Sequence, residues 1–120
     1  MQDIKEAVKT AVKALDEHIG HNIEVLDIGN LTTIADYFIV VDAASESQLN
    51  ALCDAVDEAL VKIGVFPLRI EGANTVDWIL MDYGEFVVHL FSRKAREFYD
   101  LDRIWNDAKT ITADEILQEA

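Results

Sequence analysis

Between Asp3 and Ile19 the apolar residues Ile4, Val8, Ala11, Val12, Leu15 and Ile19 recur every three or four positions, a spacing that predicts an amphipathic helix. Asp3 can cap its start, and Gly20 stands where the chain has to leave it. The period then changes. Ile23 to Ile28 is short and rich in β-branched residues, as a strand requires; Gly29-Asn30 is a turn, and residues 31–35 form an ordered loop. Tyr37 to Val41 is apolar without interruption, the pattern of a strand buried on both faces. Ser45-x-x-Gln48 is a capping box at the head of a second helix, whose stripe is Leu49, Leu52, Cys53, Val56, Leu60 and Ile63 and whose stop is Gly64. Cys53 lies on that stripe, so it is a core residue rather than a nucleophile.

After Pro67 come three strand-like segments, Leu68 to Gly72, Asp77 to Asp82 and Phe86 to Phe91, followed by a helical stretch from Arg93 to Tyr99. Thr112-x-x-Glu115 is a second capping box and predicts a short final helix. The order is αββαβββα, an α+β fold with a mixed sheet of about five strands and helices packed on it. The expected organisation is one domain over residues 1–108 and a C-terminal extension, a short helix, over 109–120. No repeat, linker or low-complexity segment interrupts the chain.

The hairpin around Gly84 concentrates the chemistry. If Tyr83-Gly84 is a two-residue turn, Asp82 faces Glu85, Met81 faces Phe86, Leu80 faces Val87, Ile79 faces Val88 and Trp78 faces His89. Alternation sorts these residues onto two faces. Ile79, Met81, Phe86, Val88 and Leu90 are wholly apolar, suited to packing on helices. Trp78, Leu80, Asp82, Glu85, Val87 and His89 mix aromatic, apolar and titratable groups, as a binding surface does. A three-residue turn with Gly84 left-handed is the alternative, and the two-residue turn is preferred because it leaves one clean apolar face. Taken singly, His89 is more readily a satisfied structural histidine, Trp78 is evenly balanced between core and surface, and Trp105 belongs with Leu101 and Ile104 in a packed pattern.

Charge narrows the partners. There are 23 Asp and Glu against 10 Lys and Arg, and no basic residue lies between Lys13 and Lys62. Such a surface repels phosphate backbones and favours a basic protein; RNA is left at most a peripheral contact through the basic cluster Arg93, Lys94, Arg96 and Arg103. No apolar run reaches the roughly 18 residues of a membrane helix, the N-terminus lacks a signal-like core, and a lone cysteine suits a reducing cytoplasm.

Catalysis finds less support. A nucleotidyltransferase needs two carboxylates close enough on a strand to share a metal. Asp36 and Asp42 would stand about 20 Å apart at about 3.3 Å per residue. Asp82 and Glu85 sit at a turn tip, and Gly29-Asn30 is not a phosphate loop. His18 and His21 straddle a helix end and no third ligand has a metal-site spacing. There is no Gly-x-Ser-x-Gly elbow. No catalytic residue, metal or cofactor is therefore expected, and a metal-dependent nucleotidyltransferase-like enzyme is the alternative reading.

Several linked motifs carry a resemblance. Thr33-x-Ala35-Asp36-Tyr37-Phe38-Ile39-Val40, Glu71-Gly72, Asp77-Trp78-x-Leu80-x-Asp82-x-Gly84, Val87-Val88-His89-x-Phe91 and Phe98-Tyr99-x-Leu101-x-x-x-Trp105 together resemble the ribosomal silencing factor, or Iojap-like, family over roughly Ile4 to Ala108. The resemblance implies a nucleotidyltransferase-like fold without enzymatic activity. It implies a translational repressor that docks on the large ribosomal subunit through its fourteenth protein, blocks joining of the small subunit and lowers translation when nutrients are scarce. Some members form homodimers. The implied docking residue is Trp78, with Asp82, Tyr83 and His89 as neighbours; Tyr99 and Trp105 match the C-terminal aromatic motif. On this reading Trp78→Ala weakens ribosome binding and leaves the fold intact.

Overall fold

A computed structural model describes residues 4–72, 77–99, 103 and 106–118. Asp3, Leu101, Ile104 and Trp105, to which the sequence reading assigned roles, lie outside the described residues. The elements are α1 (Ile4–Glu17), β1 (His21–Asp27), β2 (Tyr37–Ala43), α2 (Glu46–Val61), β3 (Arg69–Glu71), β4 (Trp78–Asp82), β5 (Phe86–Ser92), α3 (Arg93–Phe98), β6 (Lys109–Thr112) and α4 (Ala113–Gln118). The strands form one mixed sheet in the order β3-β4-β5-β2-β1-β6. Only β2 and β5 run parallel, at its centre; β1–β2, β1–β6, β3–β4 and β4–β5 are antiparallel.

The α+β class is as expected, with one strand more than the five anticipated. β6 pairs with β1 from Glu24↔Thr112 to Asp27↔Lys109. Its sequence, Lys-Thr-Ile-Thr, has a single apolar residue, because an edge strand buries little. The stretch after Ala108 holds this strand as well as the expected short helix. It completes one edge, and Ile116 of α4 is buried in the same cluster as α1 and α2. The second cap is present, with Thr112 Oγ1 accepting from Glu115 N at 3.2 Å, and the Glu115 carboxylate accepts from the Thr112 hydroxyl at 3.3 Å.

One face of the sheet is covered by α1, α2 and α4. Val8, Val12 and Leu15 of α1 and Leu49, Leu52, Val56 and Leu60 of α2 meet Ile39, Val41, Ile79, Met81, Val88 and Leu90 of the strands there. Burying each such side chain stabilises the fold by about 1.5–3 kcal/mol. Cys53 is buried in the same cluster, and burial, with Asp54 and Asp57 adding to it, pushes its thiol up to about 11, which suits an inert core residue. The opposite face carries a smaller cluster, including Leu26, Ile28, Phe38, Val40, Val87 and Phe91, with Ala95 of α3 resting on it. β2 is buried on both faces, as its unbroken apolar run predicts.

Two local details differ from the sequence reading. At the end of α1 it is Ile19, not Gly20, that adopts the left-handed conformation, with φ 62°, and its side chain is exposed rather than on the buried stripe. Ile19 N donates to Asp16 O and Gly20 N to Leu15 O, so the helix closes as a Schellman motif with Gly20 one place beyond the left-handed residue. Gly20 serves close approach: a Cβ there would lie 2.7 Å from Val41 Cγ2. At the head of α2, Ser45 Oγ accepts from Gln48 N as a cap should. Gln48 does not close the box on Ser45, however; its Oε1 accepts from Ala44 N and its Nε2 donates to Ile19 O, tying the two helix ends together.

Candidate partner-binding face

β4 and β5 pair as Trp78↔Phe91, Ile79↔Leu90, Leu80↔His89, Met81↔Val88 and Asp82↔Val87. Tyr83 N donates to Phe86 O at 3.0 Å, so the two-residue turn is Gly84-Glu85 rather than Tyr83-Gly84. The first central position has φ +85°, a conformation that glycine adopts without strain and tyrosine does not. Asp82 Oδ1 accepts from Gly84 N at 2.8 Å and pins the turn. Each expected pair is therefore displaced by two residues. Because side chains alternate with period two, the displacement leaves every strand residue on its expected face, while Glu85 moves into the turn.

What changes is the neighbourhood. Trp78 is opposite Phe91 and diagonal to His89, and its Nε1–H donates to His89 Nδ1 at 3.3 Å. The His89 ring meets Phe38 edge-on with centroids 4.6 Å apart. The Trp78 ring lies 5.1 Å from that of Phe91 and 4.7 Å from that of Tyr99, and Phe98 meets Tyr99 edge-on at 4.9 Å. A line of rings thus runs from the sheet interior to the surface, with Trp78 half-buried at its middle. At the outer end Tyr99 is 39% and Phe98 80% exposed, a large apolar group held out into water. Beside them Asp77, Lys94, Glu97, Phe98 and Tyr99 line a groove of about 470 Å³.

Several assignments change as a result. His89, expected among the surface neighbours of Trp78, is buried, only 5% exposed. Burial lowers its pKa to about 4, so the ring is neutral at physiological pH. Tyr83 is on the other face, stacked on Phe86 within the helix-covered core, where burial and then the nearby Asp57 and Cys53 raise its phenol well above the ordinary value. Asp82 remains on the expected face, engaged with Gly84 N and 3.4 Å from Arg69 Nε of β3. Phe98 was only part of the quoted motif. Its exposure follows from its place at the end of a six-residue helix whose buried contact is Ala95.

α3 holds this arrangement in place. Ser92 Oγ caps it by accepting from Ala95 N, and Ser92 N donates to Asp77 O beside Trp78. Arg96 turns inward: Nη2 is 2.8 Å from Glu24 Oε1, and Nη1 reaches Asn22 O and, at 3.4 Å, the buried Asp42 carboxylate. Arg93 Nε is 3.9 Å from Asp42. Part of the basic cluster is thus spent inside the molecule, leaving less of it for an RNA backbone. Among the described residues no group of three or more His, Cys, Asp or Glu side chains is arranged to hold a metal ion, and no helix is long and apolar enough to cross a membrane.

The fold and this face define a small α+β domain with a partly exposed aromatic strip on one side of its sheet. The family model described as "Ribosomal silencing factor during starvation" matches residues 1–120, and the chain belongs to the ribosomal silencing factor family. It is 34% identical over 107 residues to the ribosomal silencing factor RsfS of Chromobacterium violaceum, covering 89% of this chain and 88% of that one. A crystal structure of a protein from Chromobacterium violaceum superposes with a TM-score of 0.84 at 33% identity, covering 88% of both chains. A mouse protein named mitochondrial assembly of ribosomal large subunit protein 1 is 28% identical over 97 residues, 78% of this chain and 42% of that one.

Proposed function

We propose that this chain represses translation by docking on the large ribosomal subunit through its fourteenth protein, where it stands in the way of the small subunit when nutrients are limiting. It acts in the cytoplasm by occupying a surface, not by catalysis. The observation that carries the reading is the aromatic strip Trp78–Tyr99–Phe98, presented by a member of this family on a chain of net charge −13. Exposed aromatics are the residue types that anchor protein interfaces, and an acidic surface speeds encounter with a basic ribosomal protein while discouraging contact with RNA. The large-subunit wording in the mouse relative's name points the same way.

Trp78, Tyr99 and Phe98 make the contact in this reading. Asp82 stands on the same face and His89 supports it from the interior, while Tyr83, stacked on Phe86 under the helices, takes no part in it. The test is co-sedimentation with separated ribosomal subunits, followed by addition of small subunits. Selective association with large subunits and loss of joining are expected. Association with neither subunit overturns the reading.

A further inference from the structure

His89 presents a puzzle. The indole N–H can only donate, so His89 Nδ1 accepts and the neutral ring carries its proton on Nε2. That Nε2–H is buried and has no hydrogen-bond partner among the described residues. An orphaned buried donor destabilises a fold. A leucine among Phe38, Leu80 and Phe91 would remove that orphan, and its one polar cost would be the loss of the acceptor for the Trp78 indole N–H. Packing alone therefore does not account for a histidine at this position.

We propose that His89 is a positioning residue for the docking face: its Nδ1 fixes the rotation of the Trp78 indole against Tyr99, so that the partner meets a preset ring. The inference rests on the docking reading above. It also names the chemistry of the contact. With Nε1–H turned inward, Trp78 offers the partner hydrocarbon and no donor, so the complementary site is an apolar pocket rather than a carbonyl or carboxylate. The restraint removes rotamer freedom before binding, which lowers the entropy that association would otherwise lose.

The hydrogen bond is measurable directly in the uniformly ¹⁵N-labelled full chain, as a through-bond nitrogen–nitrogen coupling between the Trp78 indole and His89 Nδ1. Its presence is expected. An uncoupled Trp78 indole in the free protein overturns the proposal whether or not ribosomes bind. The second arm compares His89→Leu, which removes the acceptor, with His89→Asn, whose side-chain oxygen falls near the place of Nδ1. His89→Leu removes the orphaned Nε2–H but also the acceptor of the half-buried Trp78 N–H, so it is expected to melt close to the parent, yet bind large subunits about tenfold more weakly or worse, with binding restored in His89→Asn. A purely structural histidine predicts otherwise, because binding would then follow melting temperature; full affinity in His89→Leu overturns the proposal. If the unaltered protein ignores ribosomes while the coupling is present, the docking reading fails and the positioning of Trp78 stands.

Discussion

The two faces of the sheet are built on different principles. Under α1 and α2, Ile79, Met81, Val88 and Leu90 meet other aliphatic groups, and no hydrogen bond fixes which neighbour each one has. Hydrophobic burial is non-directional, so this face needs only the right residues on the right side. The face crossed by α3 mixes Phe38, Val87 and Phe91 with Trp78, His89 and Asp42, whose contacts depend on particular atoms. A two-residue displacement of a hairpin leaves the first kind of face intact. It rewrites the second, where Trp78 was expected across from His89 and instead lies opposite Phe91 and diagonal to the imidazole. One face is therefore held together by burial alone, and the other by burial together with contacts between particular polar and aromatic atoms.

The largest effect should come from the helix-covered face. Met81 is fully buried, and Met81→Ala is expected to cost about 2–5 kcal/mol through lost burial and a residual cavity. Denaturant unfolding measures it. Affinity for large subunits, taken at a temperature where the variant is folded, should be unchanged. A selective loss of binding would show that the two faces are not separable.

Arg96 tests whether the other face is held by charge. Removing one partner from a buried ion pair strips the other of its compensation, and without Arg96 the buried Asp42 keeps Asn22 Nδ2 at 3.0 Å and the long contact to Arg93. Arg96→Met should destabilise the chain by about 3 kcal/mol, and Asp42→Leu added to it should recover much of that loss. Equal instability in the single and double variants would mean that Arg96 contributes packing rather than charge.

These expectations also mark what the sequence could and could not say. The unbroken run from Tyr37 to Val41, the cap at Ser45 and the sorting of the hairpin residues onto two faces are local signals, and each is present in the fold. The displaced turn was in principle legible, since a left-handed first position calls for glycine and only Gly84 supplies it. β6 was not, because one isoleucine among polar residues does not announce an edge strand. Taken singly, His89 reads as a structural histidine, and it is buried, but its place on a mixed face set that reading against a surface one. A histidine on a mixed face is ambiguous until Phe38, from a strand distant in sequence, is seen against it. The mixed face and the place of Trp78 on it were thus legible, and the hydrogen bond between Trp78 and His89 was not.

Acid should reach the two faces unequally. The pKa of His89 is lowered from 6.5 to about 4 in the folded chain. Between those values the unfolded state binds the proton and the folded state does not. Its contribution is therefore complete above pH 6.5 and shrinks as pH falls toward about 4, a loss of up to about 3 kcal/mol. His89→Leu should lack this component, so the difference in unfolding free energy between the two proteins should change across that interval and level off on either side. A constant difference would mean that His89 is as accessible to protons as an ordinary surface histidine.

The smallest stability effect belongs to the most exposed group. Phe98 is 80% exposed, touches Tyr99 edge-on and, among the described residues, joins no buried cluster. Phe98→Ala should change unfolding free energy by no more than about 0.5 kcal/mol, the range of ordinary surface substitutions. Trp78→Ala is a less clean probe, because it removes a ring packed on Phe91 and orphans His89 Nδ1 as well, so the unaltered stability expected from sequence is not expected from the structure. In large-subunit co-sedimentation Phe98→Ala should weaken association about tenfold, as truncation of an interface aromatic does. Since the fold does not use this side chain, any loss of binding belongs to the contact itself. Undiminished binding would move the docking surface inward along the line of rings to Tyr99 and Trp78.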